Sequence, residues 1–244
     1  MKRVVIVQAR MGSVRLPGKV LADLAGRPML TQQLLRLARC ARADEVVVAT
    51  TTQAADDPVV SLARAAGVRW FRGSEQDVLS RYVGASRESA ADLIVRVTAD
   101  CPLIDPGEVD RVVGALEERP GEFDYASNVI RRTFPRGLDT EAFFRDTLER
   151  TGRLGVEPKA REHVTWFILR ERPDLFLRRS IEDSENHSDL RWTVDTPEDL
   201  ALARRVYSDL DLGNSPRAYR EILAHVRAHP DISALNAAIA QKGA

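Results

Sequence analysis

The segment VVIVQARMGSVRLPGK, residues 4–19, is the stretch from which the fold of this protein is predicted. Its first four residues are β-branched without polar alternation, which is typical of a strand buried on both faces of a parallel sheet. The residues after that strand include two glycines, a proline, a serine and three cations, Arg10, Arg15 and Lys19. Such a loop can approach a ligand closely, and its N–H groups and positive charges suit phosphate oxygens.

This loop differs from two common phosphate-binding motifs. Lys19 is followed by Val20, whereas the Walker motif requires Ser or Thr, and the glycine spacing does not match G-x-G-x-x-G. A basic surface turn between a strand and a helix is the alternative interpretation. The density of cations directly after the first buried strand favours phosphate.

Length and composition limit the class of protein. Residues 1–244 fit one domain, and an apolar fraction of 44% is ordinary for a globular core. Basic and acidic residues balance at 36 each, which argues against nucleic acid or an anionic membrane as a partner. No apolar run approaches about 18 residues, so we expect neither a membrane span nor a signal peptide. Cys40 and Cys101 match no metal or redox spacing and predict free thiols in a reducing cytoplasm.

Strand and helix patterns alternate through the first half of the chain. The predicted strands are residues 4–7, 46–49, 68–71 and 93–97, and the predicted helices are residues 21–41, 57–66, 78–89 and 105–118. This alternation predicts right-handed βαβ units and an α/β fold with a doubly wound, mostly parallel sheet. Ligands of such sheets bind beyond the carboxyl ends of the strands.

The second half is less regular and predicts a small excursion. Its predicted strands are residues 124–128, 175–179, which could lead away from the main sheet, and 191–194. Its predicted helices are residues 141–151, 162–171, 216–229 and 232–241, with a further helix after Asp195. Thr196 is the natural N-cap of that further helix, because Pro197 follows at its first position.

Two aspartates follow predicted strands. Asp100 ends the fourth strand and Asp195 ends the late strand, so both could face one ligand crevice. Two carboxylates near a phosphate loop would suit Mg²⁺, which neutralises phosphate charge. The alternatives are that Asp195 only belongs to the helix cap and that Asp100 only starts a turn.

Other polar residues lie at similar positions. Thr50 and Thr51 end the second strand and could offer hydroxyls to a base or a ribose. Asp77 and Arg81 are four residues apart and could pair on one helical face, where a solvated pair is the alternative to a ligand site.

Several motifs occur in the order typical of one family. QARMGSVRLPGKVL, VTADCPLI and WTVDTPEDL resemble the motifs of the cytidylyltransferases that activate sugar acids as CMP-sugars. The segments GSEQDVLSRY, FPRGLDTE and REHVT resemble family motifs as well, the last two those of the branch named for spore coat polysaccharide synthesis protein F. The resemblance covers nearly the whole chain.

The resemblance implies a nucleotide-diphospho-sugar transferase (GT-A-like) fold and transfer of CMP from CTP to an acceptor, with release of pyrophosphate. Mg²⁺ or Mn²⁺ would be held by Asp100 and Asp195, and Arg10 and Lys19 would complete the catalytic set. The implied nucleotide-binding residues are Gln8, Ala9, Arg10, Gly12, Ser13, Arg15, Lys19, Thr50, Thr51, Asp77, Arg81 and Thr98. Thr98 stands where sugar-acid members often have a base-reading glutamine, so the preference for CTP rests on the resemblance alone.

The resemblance also implies an acceptor side in the second half. Arg136, Arg161 and His163 would bind a carboxylate or another polar group, while Asp139 and Glu141 would bind hydroxyls. A structural role is the alternative for a lone histidine. The acceptor would be a sugar or a sugar acid, and relatives are often homodimers.

Two further functions stay open from the sequence. A glycosyltransferase of the same fold would usually carry a D-x-D metal motif, but Cys101 and Pro102 follow Asp100. A non-catalytic nucleotide-binding module would be favoured by loss of the loop lysine or of a metal aspartate, and both are present.

Overall fold

Strand β1, Arg3–Gln8, lies inside a seven-stranded sheet in the computed structural model, which describes residues 1–240. A separate two-stranded hairpin is formed by β2 (Asp23–Leu24) and β3 (Arg27–Pro28). The other strands of the main sheet are β4 (Glu45–Thr51), β5 (Arg69–Gly73), β6 (Leu93–Thr98), β7 (Tyr125–Ser127), β8 (Glu141–Phe144) and β9 (Arg178–Ser180).

The strand order is β5-β4-β1-β6-β8-β7-β9, and β8 runs antiparallel to both of its neighbours. The remaining pairings of this sheet in the described chain are parallel. The predicted mostly parallel, doubly wound α/β fold is therefore confirmed.

Helices cover both faces of the sheet. The α-helices are α1 (Met29–Leu37), α2 (Asp57–Ala65), α3 (Val78–Glu88), α4 (Pro106–Glu117), α5 (Arg145–Leu154), α6 (Pro158–Glu162), α7 (Pro197–Asp209), α8 (Tyr219–Ala228) and α9 (Pro230–Ala234). Helices α1, α2 and α4 pack on one face, and α3, α5 and α6 pack on the other. Helices α7, α8 and α9 enclose a third apolar cluster around Trp192.

The first strand is buried as its composition predicts. Val5 and Val7 face the α1, α2 and α4 layer, while Val4 and Ile6 face the α3, α5 and α6 layer. All four side chains are fully buried. Consecutive residues of a strand point to opposite faces of the sheet, and here helices cover both faces. Every position of the strand is therefore buried, which explains the unbroken β-branched run.

The helix predicted for residues 21–41 is shorter than expected. Helix α1 begins only at Met29, after the hairpin, and ends at Leu37. Ala25 and Gly26 have positive φ angles of 53° and 76°, which turn the chain between β2 and β3, and Pro28 precedes the helix. The leucine periodicity holds within α1, but the Gly-Arg-Pro sequence before it breaks the predicted helix.

Most of the secondary-structure predictions that are wrong fall in the second half of the chain. Residues 141–144 form strand β8 and not the first turn of a helix, because all but the last of them are buried between β6 and β7. Residues 178–180 pair with β7 inside the main sheet and do not lead away from it. The helix predicted for residues 162–171 is divided between α6 and the π-helix Phe167–Glu171. The helix predicted for residues 232–241 begins at Pro230 and ends at Ala234, and residue 241 lies outside the described residues.

Residues 191–194 do not form a strand of the sheet. They make one parallel bridge, between Arg136 and Arg191. Arg136 donates its N–H to the Leu190 carbonyl oxygen at 3.0 Å, and its own carbonyl oxygen accepts the Trp192 N–H at 2.6 Å. These bonds join the loop of residues 131–139 to the segment that leads into Asp195.

No helix among residues 1–240 has both the length and the apolar character needed to cross a membrane.

The loop of residues 131–139 packs tightly against the segment before Asp195 at Gly137. We therefore expect Gly137→Ala to lower the melting temperature clearly. Its φ angle is 108°, and a Cβ there would lie 2.6 Å from the Thr193 nitrogen and from the Trp192 carbonyl carbon. Adding backbone strain to overpacking should cost about 2–4 kcal/mol of unfolding free energy. The measurement is chemical denaturation with matched thermal melts.

Gly67→Ala is the matched control, because Gly67 also has a positive φ, 68°, but nothing lies within 4 Å of its Cβ position. It should cost only the backbone penalty, about 1 kcal/mol. Equal losses in the two variants would contradict the steric explanation.

Candidate active site

A cleft of about 1000 Å³ opens beyond the carboxyl ends of β1 and β6. This is where a doubly wound sheet is expected to bind ligands. The predicted site residues that line it are Gln8, Arg10, Gly12, Ser13, Arg15, Lys19, Asp77, Thr98, Asp100, Arg161, His163 and Asp195. The structure thus brings together residues from the first loop, the middle of the chain and its second half.

The loop after β1 is fixed by a buried carboxylate. Asp56 accepts the N–H of Met11 at 2.6 Å and also the hydroxyl hydrogen bond of Thr51. Within the loop, the Met11 carbonyl oxygen accepts the N–H groups of Ser13 and Gly18 at 2.9 and 3.1 Å. Protein contacts alone therefore define the shape of the loop. Asp56 lies one residue before the predicted helix, and the sequence predicted no role for it.

The tip of this loop has backbone N–H groups that are free to donate hydrogen bonds. The backbone N–H groups of Gly12, Val14 and Arg15 make no hydrogen bond within residues 1–240. The Arg10 side chain lines the same cleft and has no ion pair or hydrogen bond in the described part of the chain. Free N–H groups beside an unpaired guanidinium form a surface suited to phosphate oxygens.

Lys19 bridges the two aspartates. Its ammonium lies 2.8 Å from Asp195 Oδ1 and 3.3 Å from Asp100 Oδ2, and it donates to the Val194 carbonyl oxygen at 2.7 Å. The Asp100 and Asp195 side chains are 26% and 20% exposed, so both carboxylates can be reached from the cleft. Burial alone would lower the pKa of Lys19, but the two carboxylates outweigh it and raise that pKa above its usual value. A charged ammonium therefore lies between the carboxylates for which the sequence predicted a metal ion.

Asp195 lies beside Asp100 although the parallel strand predicted before it does not form. The Val194 N–H and the Thr193 hydroxyl donate to the Asp100 carbonyl oxygen at 2.8 and 3.2 Å. Helix α7 begins with a capping box between Thr196 and Asp199, and the Asp195 carboxylate takes no part in it. The interpretation of Asp195 as only a capping residue is therefore wrong.

Two arginines also hold Asp195. Arg15 Nη2 lies 2.8 Å and Arg191 Nη2 lies 2.9 Å from Asp195 Oδ2. Burial would raise the pKa of Asp195, but Lys19, Arg191 and Arg15 together lower that pKa below its usual value. The Asp195 carboxylate is therefore ionised at neutral pH.

Hydrogen bonds to Asp199 and Asn236 in turn hold Arg191 in place. Its Nε donates to Asp199 Oδ1 at 2.8 Å, and the Asn236 side-chain amide donates to the same oxygen at 2.8 Å. Asn236 also donates to the Arg191 carbonyl oxygen at 3.0 Å. The C-terminal part of the described chain thus supports the site indirectly, and the sequence predicted no site role for Arg191, Asp199 or Asn236.

Four residues predicted to bind the nucleotide do not line the cleft. The Ala9 side chain packs in the core, and Thr50 is fully buried. The Thr51 hydroxyl is occupied by Asp56, so it anchors the loop instead of facing a ligand. Arg81 is 1% exposed.

The predicted pair between Asp77 and Arg81 does not form. Asp77 is the N-cap of α3 and accepts the Ser80 N–H at 2.8 Å, while Arg81 donates to the Ser74 carbonyl oxygen at 2.7 Å. An N-cap residue has non-helical backbone angles, so the four-residue spacing rule does not apply to it. The Asp77 carboxylate instead lies 3.6 Å from the Arg161 guanidinium, so this ion pair joins the start of α3 to α6 at the cleft.

Glu141 is buried and does not contact the cleft, so its predicted acceptor role is not supported. Its carboxylate accepts the hydroxyls of Tyr125 and Thr165, both at 2.6 Å, and forms an ion pair with Arg96. Burial would lower the pKa of Arg96, but Glu141 raises it, so Arg96 stays charged. Arg96 lines the cleft and was missed, although a cation inside the apolar strand LIVRVT was a visible signal.

Arg136 and Asp139 line a separate cavity of about 190 Å³. This cavity shares Asp100 and Asp195 with the large cleft, so the two spaces meet at the aspartates. The predicted acceptor residues are therefore divided: Arg161 and His163 lie in the large cleft, and Arg136 and Asp139 lie in the small cavity.

Comparisons with known proteins agree with this geometry. A family model described as cytidylyltransferase matches residues 4–220. An uncharacterised protein of Methanocaldococcus jannaschii is 38% identical over 99% of this chain and 97% of its own length. The spore coat polysaccharide biosynthesis protein SpsF of Bacillus subtilis is 33% identical over 83% of this chain and 85% of its own. A 3-deoxy-manno-octulosonate cytidylyltransferase of Anaeromyxobacter dehalogenans is 33% identical over 82% of this chain and 95% of its own.

A solved structure agrees as well. A cytidylyltransferase from Leptospira borgpetersenii superposes with a TM-score of 0.91 at 33% identity, covering 96% of this chain and 97% of that one. Since the family model spans most of the sequence and relatives match it along most of their length, the chain belongs to the cytidylyltransferase family and is a nucleotidyltransferase enzyme.

Proposed function

We propose that this enzyme transfers CMP from CTP to the hydroxyl of a sugar-acid acceptor and releases pyrophosphate. The observation that carries the proposal is that the free N–H groups of the loop and the unpaired Arg10 line one cleft together with Lys19, Asp100 and Asp195. A bond forms between the acceptor oxygen and the α-phosphorus, the bond from that phosphorus to the β-phosphate oxygen breaks, and the acceptor proton passes to water.

The protein residues act by positioning and electrostatics. The loop N–H groups and Arg10 bind the β- and γ-phosphates, which holds the α-phosphate toward Lys19. Lys19 and Arg15 then stabilise negative charge that develops on the transferring group, because both cations are fixed by the protein before the substrate arrives. No covalent intermediate on the protein is needed.

The carboxylates fit a divalent cation. Asp100 and Asp195 are ligands of the type that Mg²⁺ prefers, and Mg²⁺ usually takes one or two protein carboxylates beside substrate phosphates. These two residues would hold Mg²⁺ or Mn²⁺, which neutralises phosphate charge when bound. Before a triphosphate binds, the Lys19 ammonium neutralises the same two carboxylates. A bound triphosphate would compete with them for this ammonium.

The acceptor class is inferred from the relatives. One curated relative is named for 3-deoxy-manno-octulosonate, a sugar acid, and another for spore coat polysaccharide biosynthesis. We extend both to this chain as an acceptor carrying a carboxylate and a place in surface-polysaccharide precursor synthesis. Arg161 and His163 also line the large cleft and would bind the polar groups of the acceptor.

Two further expectations join the proposal. We place the enzyme in the cytoplasm, in keeping with Cys40 and Cys101, which are free and buried. Burial raises the pKa of the Cys40 thiol to about 12. We also expect a homodimer, which light scattering on the purified protein can test.

We expect Arg10→Ala to weaken CTP binding roughly 10- to 150-fold, because a lost charge-assisted contact costs about 1.5–3 kcal/mol. Calorimetric titration with CTP measures this. Arg170→Ala is the matched control, since Arg170 is exposed and does not line the cleft. Unchanged affinity in Arg10→Ala would remove Arg10 from the phosphate site.

We expect activity to require Mg²⁺ or Mn²⁺, and Asp100→Asn and Asp195→Asn each to lose most of kcat while remaining folded. The double variant should lose much less than the product of the single effects, because both residues act through one ion. Pyrophosphate release gives the rates, and electron paramagnetic resonance of Mn²⁺ with CTP present gives metal affinity without turnover. Full activity in excess chelator, or wild-type Mn²⁺ affinity in both variants, would contradict the two-aspartate site.

We expect CTP to be preferred over ATP, GTP and UTP. The comparison is kcat/KM for all four triphosphates, with thermal melts as a second measure, because binding to the folded state raises the melting temperature. Thr98 occupies a position that faces the cleft. UTP or GTP used as efficiently as CTP would show that base selection differs from the proposal.

A further inference from the structure

A cavity of about 310 Å³, here called the α4–α8 cavity, is lined by the end of α1, the start of α4 and the segment before α8. It shares no lining residue with the large cleft or with the small cavity. Its volume is at the lower end of the range for small-molecule sites, about 300–1000 Å³. Its charged residues are three arginines, Arg36, Arg39 and Arg217, and two aspartates, Asp105 and Asp110.

Arg36 lines this cavity with one nitrogen that has no partner. Its side chain is only 4% exposed. Its Nε donates to the Ile104 carbonyl oxygen at 2.6 Å, and its Nη2 donates to the Arg217 carbonyl oxygen at 3.0 Å. The buried Nη1 has no hydrogen-bond partner within residues 1–240. A buried donor without an acceptor is costly, so Nη1 indicates an acceptor that a ligand would supply.

The two carboxylates of the cavity are occupied by backbone N–H groups. Asp105 caps both helices, because its two oxygens accept the N–H groups of Glu108 and Tyr219 at 3.0 and 2.7 Å. It lies 3.9 Å from Arg36, which is beyond hydrogen-bond distance. Asp110 accepts two backbone N–H groups of the chain after α1, at 2.8 and 2.7 Å. In the described chain, neither carboxylate therefore forms a hydrogen bond with the three arginine side chains.

Positive charge exceeds negative charge around the cavity. Arg39 is exposed and its side chain has no ion pair or hydrogen bond in the described part of the chain, while Arg217 pairs with the exposed Glu221. Burial lowers the pKa of the Arg36 guanidinium, as does the positive charge of Arg39. The N-termini of α4 and α8 add partial positive charge. The Gly107 N–H in the first turn of α4 makes no hydrogen bond within residues 1–240, so it is a further free donor.

We propose that the α4–α8 cavity binds a small phosphomonoester, and that the bound ligand stabilises residues 98–104, the segment that carries Asp100. The donors available to it are Arg36 Nη1, the Arg39 guanidinium and the Gly107 N–H. They belong to different elements, and the three free oxygens of a tetrahedral phosphate can accept from all of them. A planar carboxylate offers only two oxygens. The site would be separate from the cleft used in the proposed function.

The second part of the proposal follows from the other contacts of α1. Arg36 Nε holds the Ile104 carbonyl oxygen. The Gln33 side-chain amide donates to the carbonyl oxygens of Thr98 and Cys101, at 2.8 and 3.1 Å. Helix α1 therefore holds the chain on both sides of the aspartate. A ligand bound to Arg36 Nη1 would restrain the guanidinium and, through its Nε, the end of this segment.

The first test follows the Gly107 amide by NMR. Protein labelled with ¹⁵N-glycine carries only 14 labelled residues, and the Gly107 signal is assigned by its loss in Gly107→Ala. Glycerol 3-phosphate should shift this signal in a saturable way, and glycerol should not. Glycerate should bind more weakly, because a carboxylate carries less negative charge than a phosphate and has one oxygen fewer. None of these measurements requires CTP or turnover.

Matched variants locate the binding. Arg39→Gln should raise the dissociation constant of glycerol 3-phosphate about tenfold, because a charge-assisted contact is lost. Arg170→Gln makes the same change of charge at an exposed position outside the cavity and should match the wild type. Arg10→Ala should leave the Gly107 shift unchanged, since Arg10 lines only the large cleft of these two spaces.

Hydrogen exchange tests the effect on the segment. The Ile104 N–H donates to the Cys101 carbonyl oxygen at 3.1 Å, and its exchange should slow severalfold with glycerol 3-phosphate. At the same concentration, Arg39→Gln should show a smaller effect. No saturable shift of Gly107, equal affinity for glycerate, or unchanged affinity in Arg39→Gln would overturn the phosphomonoester site. Loss of the Gly107 shift in Arg10→Ala would assign the binding to the cleft and would also overturn it. Unchanged Ile104 exchange in the saturated wild type would overturn the stabilisation of the segment.

Discussion

The ion-pair bridge from Lys19 to Asp100 and Asp195 is the interaction on which the arrangement of the site depends. It joins three distant parts of the chain: the first loop, the end of β6 and the segment before α7. Two carboxylates this close would repel each other in a partly buried cleft unless a cation lay between them. The lysine supplies that cation from the protein itself, so the folded site does not need a bound ion to hold its shape. In the proposed mechanism, a metal ion and a triphosphate would bind to this prepared arrangement, and the Lys19 ammonium would become available for phosphate.

The sequence predicted the parallel half of the fold well for a physical reason. Val4 to Val7 are buried on both faces, so their composition alone identifies a central strand, and helix and strand periodicities alternate clearly after it. It predicted Asp100 and Asp195 as neighbours although the strand expected to place Asp195 does not form. Residues 191–194 come to the site through hydrogen bonds to Asp100 and Arg136, and such long-range pairings have no local pattern.

The site residues that were wrongly predicted, or missed, also have a common physical cause. Glu141 and Arg81 are polar residues within family motifs, and Thr51 lies at the end of a strand. Polarity alone did not tell whether each side chain faces a ligand or a protein partner. Glu141 is matched by Arg96, Tyr125 and Thr165, which come from three other parts of the chain. Asp56 and Asn236 were missed for the same reason, because their roles depend on partners far away in the sequence. Only Arg96 carried a local signal, since a charge within an apolar strand must find a counter-ion or a ligand.

The contact of Asn236 with Asp199 and Arg191 ties the end of the described chain to the reacting centre. Native proteins open locally with free energies well below that of global unfolding. Each opening of the segment around Asn236 would leave Arg191 with fewer partners and so loosen the orientation of Asp195. The orientation of Asp195 is therefore coupled, through Arg191, to local opening of the segment around Asn236. Temperature or a molecule bound there would change the number of competent molecules without touching the substrates.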